Sequence, residues 1–139
     1  MKTLFFLIIL SFLSCGTDQG SCTHAKFTIK NETNKQIKIL AYNKIYPSIS
    51  PIMTTLNINE ELTKTSKVCM GDVYSFREFF DSRDSLKVIY DTSKVQFFVS
   101  ECGTNEKNPL SCDYYGFEGT FIFTEQDYEN AEDCNGNCD

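Results

Sequence analysis

Tryptophan is absent from this chain, histidine occurs once, and proline only three times among 139 residues. Each shortage closes a route. Without indole rings, a sugar-stacking platform has little to build on. With His24 the only imidazole, a histidine-assisted nucleophile has one base to draw on, and such a base must be held by a third group. His24 stands beside a polar tether and reads as an exposed residue before the first strand. No Cys-x-x-Cys pair occurs, so zinc ligation by Cys and His has no support and no metal or cofactor is expected. Basic residues are outnumbered 13 to 19, for a net charge of −6, and form no run. That excludes nucleic acid as a partner, since Lys and Arg neutralising phosphates supply that affinity. It also leaves no polybasic grip on anionic lipid.

What the chain does have begins at its first residues. Lys2 precedes an apolar run from Thr3 to Leu13, which breaks at Ser14-Cys15. A positive start, an apolar core of roughly 7–15 residues and a small residue at the exit describe a secretory signal. A membrane span would need about 20 apolar residues. Phe12-Leu13-Ser14-Cys15 looks like a bacterial lipobox, with Phe12 where such signals usually carry Leu. The expectation is that residues 1–14 are a lipoprotein signal peptide and that Cys15 is lipidated. Residues 15–24 then form the tether. The protein is expected in the cell envelope, held by acyl chains on Cys15, at the outer membrane.

Seven cysteines are an odd number, and lipidating Cys15 leaves six: Cys22, Cys69, Cys102, Cys112, Cys134 and Cys138. In an exported chain these read as disulfides. Cys102 and Cys112 flank a polar loop and form the first pair. Cys134 and Cys138 close a small ring across Asn135-Gly136-Asn137, or each reaches elsewhere. Cys22 and Cys69 are the residual pair.

The stretch beyond the tether suits one domain, since domains cluster at roughly 100–150 residues. From Lys26 the pattern has period two: Phe27 and Ile29 alternate with polar residues, as do Ile37, Ile39 and Ala41. Asn31 to Asn34 is turn chemistry and joins these runs as a hairpin. Further strands are expected at Thr54 to Ile58 and Leu62 to Met70. Leu86 to Tyr90 and Val95 to Ser100 make the clearest hairpin, with Val95, Phe97 and Val99 on one side. Tyr74 to Phe80 fits a strand or irregular segment, although Phe76, Phe79 and Phe80 also share a helical face. Tyr114 to Phe123 is the last long strand, with Phe117, Phe121 and Phe123 on one face. Thr124 to Asp127 resembles a capping box opening a helix that ends near Glu132. The expected fold is all-β: an antiparallel β-sandwich, immunoglobulin-like or similar, with one short C-terminal helix. It occupies residues 25–133, followed by a Cys-containing tail at 134–139.

Asp84-Ser85-Leu86-Lys87-Val88-Ile89-Tyr90, Phe123 to Ala131 and the opening Phe27-Thr28-Ile29-Lys30-Asn31 resemble small Gram-negative bacterial lipoproteins of unknown function. The resemblance implies location and all-β architecture, and nothing catalytic.

Candidate chemistry is sparse. Acidic pairs fall in turns or at a helix start, where they occur for local reasons. Asp81, Asp84 and Asp91 would suit calcium only if their loops met. Asn31-Glu32-Thr33 matches an N-glycosylation acceptor but reads as a turn, and Asp84-Ser85-Leu86 resembles an O-glycosylation acceptor but reads as a strand start. Tyr114 and Tyr115, beside the Cys102–Cys112 loop, are the expected partner-binding residues, because tyrosines give large, rigid contacts at low entropy cost. The expected role is a non-catalytic module that binds a protein or glycan partner. The alternative is an inhibitor or immunity-type lipoprotein whose acidic surface captures a basic hydrolase.

Overall fold

The computed structural model describes residues 21–69, 75–103, 107–112 and 116–138. Among these residues eight strands form two sheets: β1 (Thr23–Asn31), β2 (Ile37–Tyr42), β3 (Ile52–Leu56), β4 (Glu61–Val68), β5 (Ser85–Tyr90), β6 (Lys94–Val99), β7 (Glu118–Phe123) and β8 (Glu132–Asp133). One sheet has the order β4-β1-β7 and the other β3-β2-β5-β6-β8. All ladders are antiparallel except β1–β7, where Phe27 pairs Gly119 and Ile29 pairs Phe121 in parallel. The all-β sandwich expected from alternation is the architecture observed, with that one parallel ladder added.

The alternating runs at residues 23–31 and 37–42 are strands but not a hairpin. β1 pairs β4 and β7, while β2 pairs β3 and β5. Both runs are apolar on one face, and the two apolar faces pack against each other across the core rather than lying edge to edge. The connection is therefore a corner between sheets, and β3 to β4 makes a second one.

Asn31, buried at 0% exposure, ties both corners. Its Nδ2 donates to the Lys35 carbonyl (2.8 Å) and to those of Leu56 (3.3 Å) and Asn57 (2.9 Å). Its Oδ1 accepts from the Thr33 amide (3.0 Å) and hydroxyl (2.7 Å). The glycosylation-type motif is thus a structural joint.

The segment leading to Phe80 forms a short helix, α1 (Phe76–Phe79), which corrects the strand or irregular expectation. Ser75 caps it, and the three-residue spacing of Phe76 and Phe79 turns both rings inward. Left-handed backbone at Asp81 and Ser82 ends the turn. Phe76 stacks 5.0 Å from Phe27, and Phe121 lies 5.0 Å from Phe123 and 6.2 Å from Phe98. These rings, with Ile29, Ile37, Ile39, Leu86 and Val88, are the core.

The hairpin β5–β6 forms as expected, turning through left-handed Asp91 and Thr92. The capping box also forms: the Thr124 amide donates to Asp127 at 2.7 Å, opening α2 (Glu125–Asn130). Phe121 and Phe123 are buried, but Phe117 precedes β7 and is 56% exposed. All three cysteine pairings expected first are present: Cys22–Cys69, Cys102–Cys112 and Cys134–Cys138. The last ring lies against Ile89, Val95 and Leu40 on the outer face of the larger sheet.

Candidate binding surface

Among the described residues the larger sheet runs out of partners along β6. β8 pairs it only at Lys94 and Val95. In an antiparallel ladder, successive residues turn their main-chain groups to opposite neighbours. The Ser100 amide donates to the Asp84 carbonyl at 2.8 Å, so Ser100, Phe98 and Gln96 face β5. Phe97 and Val99 therefore turn their N–H and C=O outward. The Asn108 side-chain amide reaches the Val99 carbonyl at 2.8 Å, in agreement with that parity. Among the described residues nothing pairs with the Phe97 main chain or the Val99 N–H.

Beside this edge lies a groove of about 380 Å³, lined by Phe97, Val99, Glu101, Lys107, Asn108 and Asp127, among others. Its far wall is built by the disulfide-closed loop. Cys102 and Cys112 have Cα atoms 5.1 Å apart, and the Cys112 amide donates to the Glu101 carbonyl. Leu110 is buried and its amide donates to Asn108 Oδ1. Lys107 forms an ion pair with Asp127 and lies 5.2 Å from the Phe121 ring centre. Phe97 at 53% exposure and Val99 at 36% supply apolar surface to the edge. The groove thus offers main-chain pairing groups, two apolar side chains, the Lys107–Asp127 ion pair and the Glu101 carboxylate.

Of the residues expected to matter, Cys15, Tyr114 and Tyr115 lie outside the described residues. The groove borders the disulfide loop on which the two tyrosines follow, but its described lining comes from β6 and the Lys107–Asp127 pair. Sequence reasoning missed those residues. The signal available was the Val95, Phe97, Val99 face, which points out of the sandwich, with Val95 alone covered by the tail.

His24 is exposed at the start of β1, paired in register with Lys67. Asp81 and Asp84 lie before β5 and Asp91 after it, at opposite ends of the sandwich, so they do not converge on an ion. Among the described residues no group of three or more His, Cys, Asp or Glu side chains is placed to hold a metal. Ser85 is buried and its hydroxyl donates to Asp84 at 2.8 Å, which makes it a strand-start residue closed to modifying enzymes in the folded domain.

Asp84 has a structural task. Burial alone would raise its pKa, but the Lys44 amide (2.8 Å), the Ser85 hydroxyl and the Ile45 amide together hold its carboxyl below the usual value. Tyr90 is pushed the other way, chiefly by burial, and its hydroxyl donates to Gln96 at 2.9 Å. No family model matches this chain, and no curated protein or solved structure shows significant similarity to it.

Proposed function

We propose that this is a lipid-anchored protein of the bacterial cell envelope, at the outer membrane, that works as a non-catalytic interaction module. The open edge of β6 carries this reading. An extended segment of a partner protein adds a strand at Phe97–Val99, where main-chain hydrogen bonds give affinity and side-chain contacts give specificity. Phe97 and Val99 supply the apolar contacts, while Glu101 and the Lys107–Asp127 pair select the polar ones. The lipobox-like start and the odd cysteine support the anchor at Cys15.

A photo-crosslinking side chain at Val99, in protein kept in its native envelope, tests the reading. Adducts with a partner are expected. Phe97→Pro removes the outward N–H without touching the β5 ladder, and should abolish them while leaving the unfolding midpoint in place. Adducts that survive Phe97→Pro would reject strand addition.

A second reading has its own observation. Glu60, Glu61, Glu125, Glu129, Glu132 and Asp133 crowd the end of the sandwich that carries the β5–β6 turn. Long-range attraction would draw a basic enzyme to that end. Inhibition of a basic hydrolase that fades with salt would favour capture at this end over strand addition.

A further inference from the structure

The sandwich exposes its large apolar side chains unevenly. β1 runs away from residue 21, the short corner at 32–36 reverses the chain, and β2 returns to finish at Tyr42. The loop after β2, residues 43–51, therefore lies at the end where the chain enters the fold. α1 and the segment before β7 lie at that end too. Ile45 is 73% exposed there, Tyr46 61%, Ile49 41% and Phe117 56%.

The loop is fixed with these side chains turned outward. Asn43 Oδ1 accepts from the Ile45 and Tyr46 amides, both at 3.0 Å, and the Ile49 amide donates to the Tyr46 carbonyl. Asp84 holds the Lys44 amide, and Arg83 donates to the Ser50 carbonyl at 3.1 Å. These bonds hold the loop backbone with its apolar side chains exposed. Large apolar side chains exposed together on one loop and rimmed by polar groups suit an interaction site.

We propose that this end of the sandwich faces the membrane, with Ile45, Tyr46 and Ile49 seated in the headgroup boundary of an anionic bilayer. The inference rests on the lipid-anchored reading, and three observations choose lipid over another occupant. The first is reach: seven residues from Cys15 to Cys22 span at most about 25 Å fully extended. A domain anchored at Cys15 keeps this end nearest the bilayer. The second is composition, since tyrosine beside aliphatic residues suits the interface, with its ring in the apolar layer and its hydroxyl in water. The third is local charge. Lys44 and Arg83 flank the loop itself, and a hollow of about 290 Å³ beside Ile45 is lined by Lys44, Arg77 and Asp84, while Glu78 and Asp81 stand on the α1 side of the same end. The acidic cluster at the other end points away, as repulsion from anionic lipid requires. The acyl chains are then the anchor, and the loop fixes how the domain stands on it. That stance leaves the Phe97 stretch of β6 on the flank, while Val99 borders the hollow beside Ile45.

The absence of tryptophan supplies the test. A single tryptophan is placed in the full-length exported protein as Tyr46→Trp, Ile49→Trp or, at the opposite end, Ile58→Trp. Each protein is mixed with vesicles of phosphatidylethanolamine and phosphatidylglycerol carrying brominated acyl chains. Intact mass of the same samples reports acylation. The first two probes should shift to shorter wavelength and be quenched by half or more, with Ile58→Trp unchanged. Lys44→Glu with Arg83→Glu should reverse much of that quenching. If the protein is acylated and floats with vesicles but Tyr46→Trp stays unquenched, the anchor stands and the membrane-facing loop falls. If the protein is not acylated yet Tyr46→Trp is still quenched, the loop stands and the anchor falls. No acylation and no quenching overturns both. Shielding of Tyr46→Trp without lipid, growing with protein concentration, also overturns the proposal, because the occupant is then a second copy.

Discussion

Asn31 shows how much one polar side chain can organise in an apolar core. Its Nδ2 binds three corner carbonyls at once, those of Lys35 and Asn57 accepting also from the Thr33 hydroxyl and the Glu60 amide. Asn31→Ala should lower unfolding free energy by about 2–3 kcal/mol, because leaving buried polar groups unpaired costs their desolvation. Asn31→Asp keeps the acceptor facing Thr33 but sets a carboxylate against those carbonyls. It should be at least as damaging at neutral pH and recover partly on acidification, which alanine cannot do; urea titrations at two pH values separate them. Asp84 gives the complementary case. Its folded-state pKa lies below the unfolded value, so its contribution is present above about pH 4 and lost as pH falls through the folded value. Asp84→Asn should therefore weaken the protein at neutral pH and flatten the acid limb of stability against pH. A limb unchanged in slope would mean that the Lys44 and Ser85 bonds do not favour the charged form.

At the scale of elements, Gly119 decides how closely β7 approaches α1. A Cβ there would sit 3.0 Å from both Phe27 Cδ1 and Phe76 Cε2, and both rings are buried. Gly119→Ala should cost about 1–3 kcal/mol through overpacking, while exposed Thr120→Ala next to it stays within about 0.5 kcal/mol. Thermal melts of the two variants make the comparison. Period-two alternation made β1, β2, β5 and β6 legible from residues alone, because a strand with one buried face must show that period. It left their partners open. The corner at residues 31–37 reads like a hairpin, since turn chemistry is the same whether a chain reverses within a sheet or crosses to another. The short helix α1 was ambiguous for a related reason: three phenylalanines in five residues satisfy either period. The β6 edge was the least legible of all. An edge is defined by which strand is missing beside it, and no local pattern encodes that.

Across the whole molecule, the three disulfides differ chiefly in reach. Cys22–Cys69 spans 47 residues and ties β1 to the end of β4 where the chain enters the fold. Cys102–Cys112 spans 10 and closes the groove wall, and Cys134–Cys138 spans only 4. Loop-closure entropy alone assigns them about 4, 3 and 2 kcal/mol, in that order. Packing works against the last rank, because Cys138 is 7% exposed and sits with Ile89 and Val95 over the outer sheet face. Replacing each pair by serine and measuring urea unfolding separates the two effects. If chain entropy dominates, the Cys22/Cys69 variant loses most and the Cys134/Cys138 variant least. If the tail pair instead costs as much as the first, its cover over Ile89 and Val95 outweighs the small ring it closes. Cys22/Cys69 loss has a second consequence at this scale. On the proposed anchor at Cys15 it loosens the joint between tether and domain, so quenching at Tyr46→Trp should weaken in that variant even at temperatures where the rest of the sandwich stays folded.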